Sequence, residues 1–345
     1  MTQTIHVSTV SGNYSTVGAA LDSIPSDNTS PVTIEIAPGV YREKLTISKP
    51  YVTLRGLGAS SSDTVLTYDD YANALMENGE KYGTFRSYSV FIDTHDVTLE
   101  NLTVENASGD SKTHGQAIAL YADGDRLVIH NCRLLGHQDT LFTGPLPPME
   151  LKPGGFAGPK QFAPRINGRH YYKDCYICGD IDFIFGSATA YFENCTIESL
   201  CRTPEGSSPE NIQGYATAAS TPEGQEYGYV FSCCRFTTDR CPDGSVYLGR
   251  PWRDYAKTVL INCELGRHIH PAGFHDWNKE TARDTVFYAE YNSLPLTDAD
   301  CPSCDAGQPP FHRRASFCCK LDSLQAAHFS KENVLCGFDG WLPVL

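Results

Sequence analysis

Two aspartates stand among residues of the kind that cores select: Asp139 in GHQDTLFTG (136–144) and Asp182 in GDIDFIFGS (179–187). An unpaired buried carboxylate is costly, so each must acquire hydrogen bonds, a cation or a proton. Two carboxylates brought close cannot both ionise easily. Their titrations couple, leaving one as an acid and the other as a base or nucleophile. Arg250 in YLGRPW (247–252) offers a guanidinium that would decide which, and Trp252 stands beside it. Gln138, next to Asp139, and Gln116 in HGQAIALYADGD (114–125) add neutral amide donors able to hold a developing oxyanion. A single aspartate of this kind would more simply cap a turn. Taken together, the set reads as acid, nucleophile, oxyanion donors, charge anchor and sugar platform, which is a reaction class.

The elements that must position these groups recur along the chain. ENLTV (100–104), HNCRL (130–134), KDCYI (173–177), ENCTI (193–197), SCCRF (232–236) and INCEL (261–265) share one pattern, with successive spacings of 30, 43, 20, 39 and 29 residues. Each unit reads as a short strand, a polar turn residue and another short strand. Rungs of this length with variable insertions predict an all-β parallel solenoid, in which a coil buries its inward face only by stacking on its neighbours. Asp139 and Asp182 lie seven residues after Cys132 and Cys175 respectively. They therefore occupy equivalent places on nearby rungs and should meet on one face.

Before the repeats, STVGAALDSIPSD carries a cap at Ser15 or Thr16, helical apolar spacing and a stop at Pro25, so a short helix should close the first end. Strands are expected in PVTIEIAPGVYREKLTIS and YVTLRG. Residues 144–168 carry six prolines and five glycines and no periodicity, and read as an inserted loop because the rung pattern resumes beyond them. Lys152, Lys160, Arg165 and Arg169 in and beside this loop could form a basic rim. After about residue 300 the repeat pattern stops, and SLQAAHFSKENVLCGF reads as a tail or terminal helix packed on the outside.

Composition narrows the partners. The 345 residues carry 27 basic against 41 acidic side chains, a formal charge of −14, which argues against nucleic acid or an anionic membrane surface. The start, MTQTIHVSTVSGN, has no basic segment followed by an apolar one, and no later stretch approaches about 18 uninterrupted apolar residues. A cytoplasmic monomer is expected. Five of the fourteen cysteines, Cys132, Cys175, Cys195, Cys234 and Cys263, fall at one strand position, where they would stack as small buried hydrophobes and not as a disulfide framework. Cys301, Cys304, Cys318 and Cys319 are enough thiols for zinc, but the second half is an adjacent pair and not a C-x-x-C. No metal or cofactor is expected.

GVYREK, GTFRS, QAIAL, GHQDTLF, DFIFGSA and YLGRPWRDYAKTVLINC follow one another along the chain and resemble the signature segments of the pectin methylesterases. HPAGFHDW (270–277), YAEYNS and GFDGWLP resemble the later segments of that family. The resemblance implies a right-handed parallel β-helix forming one domain over 1–345, and an enzyme that releases methanol from galacturonate methyl esters of pectin or methylated oligogalacturonides. It implies that Asp182 is the nucleophile, Asp139 the general acid and then base, Gln116 and Gln138 the oxyanion donors, and Arg250 the group that keeps the nucleophile ionised. It further implies that Trp252 and Phe185 touch sugar and that Thr84 is a polar substrate contact. The family commonly has a single short coil between the two aspartates, where this chain has 43 residues. The loop accounts for the excess and bears on substrate length. Two other readings compete: a glycoside hydrolase or lyase on the same kind of solenoid, and a carbohydrate-binding solenoid without catalysis.

Overall fold

The computed structural model describes residues 3–204, 211–296 and 313–345. Their strands form three parallel sheets of eleven, nine and seven strands, and the seven coils between Val32 and Gly249 each add one strand to each sheet in turn. This is a parallel β-helix, as the repeats predict. The register repeats the sequence spacing. In the eleven-stranded sheet Leu99 pairs with Ile129, then Tyr172, Phe192, Phe231 and Leu260 follow in line. Steps of one repeat therefore carry each inward side chain onto the one below, and the rings of Tyr172, Phe192 and Phe231 stack 4.5 and 4.4 Å apart.

The polar residue of each repeat has a conformational reason. Asn101, Asn131, Asp174, Asn194 and Asn262 all lie at φ between 50° and 54°, the left-handed region that Asn and Asp tolerate best. Their amides also ladder from coil to coil, Asn131 Nδ2 donating to Asn101 Oδ1 at 2.9 Å. The next position holds the cysteines. Cys132, Cys175, Cys195, Cys234 and Cys263 are all free and buried, and each of the last four donates its thiol to a carbonyl of the preceding coil, as Cys175 does to Ile129 O at 3.2 Å. Asn292, at φ 51°, marks a seventh repeat that the cysteine pattern hides, because Ser293 follows it.

The first end is closed as expected by a helix, Val17–Asp22, capped by Thr16, whose side chain accepts from Ala19 N. Glu43 adds to the cap by accepting from Val17 N and Gly18 N at 2.8 and 2.9 Å, a carboxylate at the positive end of the helix.

The other end departs from the sequence reading in two respects. The rung pattern does not stop near 300, since Cys318–Lys320 adds a further strand beside Phe287–Tyr291. The terminal segment is two short helices, Ser323–Ala327 and Lys331–Leu335, because Ser330 interrupts the first and caps the second. Leu321, Ala326, Val334 and Leu335 cover Val128, Tyr171, Tyr191 and Val230 on the outside of the large sheet. Of the four clustered thiols, Cys301 and Cys304 lie outside the described residues, while Cys318 and Cys319 are free.

Arg314 also anchors this end. Its guanidinium grips Glu290, on the last-but-one strand of the large sheet, at 2.7 and 3.2 Å, with both side chains 3% exposed. Arg314→Ala leaves that carboxylate buried without its cation, and the expected cost is about 3–5 kcal/mol, to be read from the midpoint of denaturant unfolding.

Candidate active site

The seven-stranded sheet sets the two aspartates one above the other. Leu141–Thr143 pairs with Ile181–Gly186 so that Leu141 faces Ile184, which puts Asp139 level with Asp182 on the adjacent coil. Asp139 N donates to Ile181 O at 3.1 Å. Both residues sit at positive φ, 67° and 51°, and the register of the next strand, Gly214–Ala219, shifts between Ile181 and Ile184. Such irregularities re-aim a side chain that regular alternation would send elsewhere. Gly186, at φ 130°, closes the strand where a Cβ would lie 2.0 Å from Thr143 O, so the two coils approach too closely for any other residue.

The environments of the two carboxyls differ. Asp182 accepts both arms of Arg250, Nε to Oδ1 and Nη2 to Oδ2, each at 2.8 Å. Asp139 has no hydrogen bond or ion pair from its side chain among the described residues, and it is just as buried. Burial raises the Asp139 carboxyl well above the usual range, and the charge of Asp182 raises it further. Burial also raises Asp182, but Arg250 opposes that rise through its charge and its hydrogen bonds. A single proton shared by the pair therefore belongs on Asp139, and Asp182 keeps the negative charge.

Arg250 is itself held face-on between two rings, with Tyr215 at 3.9 Å and Trp277 at 3.7 Å from its guanidinium carbon. Neither ring figures among the residues expected from sequence. Trp277 lies in HPAGFHDW, to which the sequence attaches no role, and Tyr215 lies beyond an insertion and the register shift that obscure its place.

Gln116 and Gln138 lie on neighbouring coils and are half-buried. Gln138 O accepts from Ala117 N at 3.0 Å, whereas neither side-chain amide has a hydrogen bond among the described residues, which leaves both as available donors. Trp252 is half-buried, and Phe85, Phe156 and Phe185 lie 6.4, 6.1 and 5.7 Å from its ring. Its backbone carbonyl is clamped by Lys279 at 3.0 Å and Arg253 at 2.8 Å. Thr84 opens the short 3-10 turn Thr84–Arg86, which turns Phe85 into this cluster.

Phe185 and most basic residues of the loop are engaged within the protein. Phe185 is 4% exposed, beneath Phe85 and Trp252 and beside Phe142. It shares one apolar cluster with Leu146 and Phe156 of loop 144–168. The basic rim is also largely spent. Lys160 pairs with Asp93 at 2.5 Å, Arg169 with Asp125 and Asp339, and Arg165 turns inward onto four carbonyls of its own loop. These side chains fasten the loop and leave Lys152 as the exposed cation.

Comparison with known proteins bears on the family and the fold. The family model described as Pectinesterase matches residues 4–145 and 165–298, and so passes over most of loop 144–168. Pectinesterase 31 of Arabidopsis thaliana is 34% identical over 325 residues, which cover 92% of this chain and 87% of that protein. Pectinesterase QRT1 of the same plant is 34% identical over 288 residues, 81% of this chain and 66% of its own length. A solved pectin methylesterase in complex with a hexasaccharide superposes with a TM-score of 0.74 at 28% identity, covering 99% of this chain and 100% of that one. This chain therefore belongs to the pectinesterase family of esterases.

Proposed function

We propose that this protein hydrolyses the methyl esters of galacturonate residues in pectin or methylated oligogalacturonides through Asp182 and Asp139. Asp182, kept charged by Arg250, attacks the ester carbonyl carbon. Negative charge gathers on the carbonyl oxygen, where the free amides of Gln116 and Gln138 donate. The carbon–methoxy bond breaks as Asp139 gives its proton to the departing oxygen, so methanol leaves and an acyl–Asp182 anhydride remains. Water then attacks that acyl carbon and yields its proton to Asp139. The galacturonate carboxylate is released and both aspartates return to their starting states. Trp252 supplies the sugar platform, and Thr84 a polar contact at its edge.

The observation that carries this reading is the contrast within one pair, Asp182 gripped by two 2.8 Å bonds from Arg250 and Asp139 without a partner. A glycoside hydrolase would need its carboxylates on opposite sides of a glycosidic bond, and a binding protein would have no use for a proton-sharing pair. The test is methanol release from methylated pectin and from a methylated trigalacturonate. Methanol without new reducing ends or unsaturated products is expected. Reducing ends would point to a glycoside hydrolase, unsaturated ends to a lyase, and no product to a binding protein.

Loop 144–168 roofs one side of the tryptophan, and the net charge of −14 disfavours a long polyanion. The shorter substrate should therefore be cleaved faster per ester group. The pH dependence of the same reaction follows from the pair. Activity should fall on the acid side as Asp182 takes up a proton, above the 3.8 of an ordinary aspartate, and on the alkaline side, well above that value, as Asp139 loses its proton.

A further inference from the structure

Asp180 lies two residues before the proposed nucleophile, is 2% exposed, and has no part in the chemistry above. Its Oδ2 accepts from Ser111 Oγ at 2.7 Å and faces His137 Nδ1 at 3.4 Å and Arg202 Nε at 4.0 Å. Its Oδ1 takes Ile181 N–H at 2.6 Å. The backbone joins in, Asp180 N donating to His137 O and Asp180 O accepting from Tyr215 N, each at 3.1 Å.

These partners lie on separate coils, and each leads to a working group. Ser111 opens the short helix Ser111–His114 that runs into Gln116. His137 directly precedes Gln138 and Asp139. Tyr215 is one of the two rings that hold Arg250. One buried carboxylate is thus tied to the segments that present an oxyanion donor, the general acid and the anchor of the nucleophile. Its negative charge also acts on both members of the pair, disfavouring ionisation of each. His137 gains its proton more readily because of Asp180, and Asp110 and Asp239 act on it in the same sense.

We propose that Asp180, with His137 as its partner, is a positioning residue of the ester-cleaving site: it fixes the segments bearing Gln116, Gln138 and Asp139 and sets a negative charge behind the aspartate pair. The inference rests on the proposed roles of Asp139 and Asp182.

The experiment is the pH profile of kcat and KM for methanol release by wild type, Asp180→Asn, His137→Gln and Ser111→Ala. In Asp180→Asn, kcat should fall about tenfold to a hundredfold through misplacement, KM should change little, and both limbs of the profile should move to lower pH because a like charge has gone. In His137→Gln the limbs should move the other way at pH values where the imidazole is charged, since the charge of Asp180 is then less compensated. Ser111→Ala removes a hydrogen bond but no charge, so it should lower kcat and leave the limbs in place; this variant keeps the idea testable if Asp180→Asn does not fold. An Asp180→Asn enzyme with wild-type kcat and unmoved limbs would overturn the inference, as would Asp180→Asn and His137→Gln moving the limbs in the same direction. If Asp182→Asn retains turnover, the underlying reading fails instead, and the two failures are told apart by that control.

Discussion

Asp182→Asn is expected to reduce methanol release from methylated pectin by several orders of magnitude. The amide is nearly the same size and remains within reach of Arg250, so folding and sugar binding should persist while the attacking oxygen is lost. The loss should appear in kcat, with KM close to that of the wild type, because Trp252 and its supports are untouched. Stopped or quenched assays of methanol, together with binding of a demethylated oligogalacturonide, separate the two quantities. Retained turnover would remove Asp182 from the nucleophile role. Loss of binding in step with turnover would instead indicate that the substitution had disturbed the cleft.

Asp139→Asn should have the next largest effect, a fall in kcat of about 10²–10⁴-fold, the usual range for a lost general acid or base. Methoxide is a poor leaving group, so the first step suffers from the missing proton donor. The second step suffers as well, since no group remains to take the proton of water. The same change should raise thermal stability slightly or leave it unaltered, because it replaces a buried carboxyl that has no partner and lies beside another acid. A melting midpoint that rises while turnover collapses is the signature of a group kept for chemistry at the expense of the fold. A fall in both would mean that Asp139 is chiefly structural.

The solenoid and the pairing of the aspartates were legible because the repeat is both a backbone device and a register marker. A left-handed turn at Asn101, Asn131 or Asp174 fixes where one sheet ends and the next begins, so counting seven residues on from Cys132 and Cys175 is enough to align Asp139 with Asp182. Groups whose place depends on insertions could not be read this way. Tyr215 reaches Arg250 only after the irregular register between Ile181 and Ile184, and Trp277 comes from a loop outside the ladder. Alternation tells which face the Phe185 ring takes but not which residues of a distant loop join its cluster, as Leu146 and Phe156 do here. The cations of the loop misled for a related reason. Their partners Asp93, Asp125 and Asp339 are remote in sequence, and ion pairs between distant coils leave no periodic trace. The strand Cys318–Lys320 was hidden by its shortness and by the unpatterned stretch before it.

The central claim is that the buried pair holds one proton and that Asp139 carries it. Infrared difference spectroscopy of wild type against Asp139→Asn, at a pH where the enzyme releases methanol, tests this most directly. The account predicts the carbonyl stretch of a protonated carboxyl in the wild type that vanishes in the variant. A difference containing only ionised-carboxylate bands would contradict it.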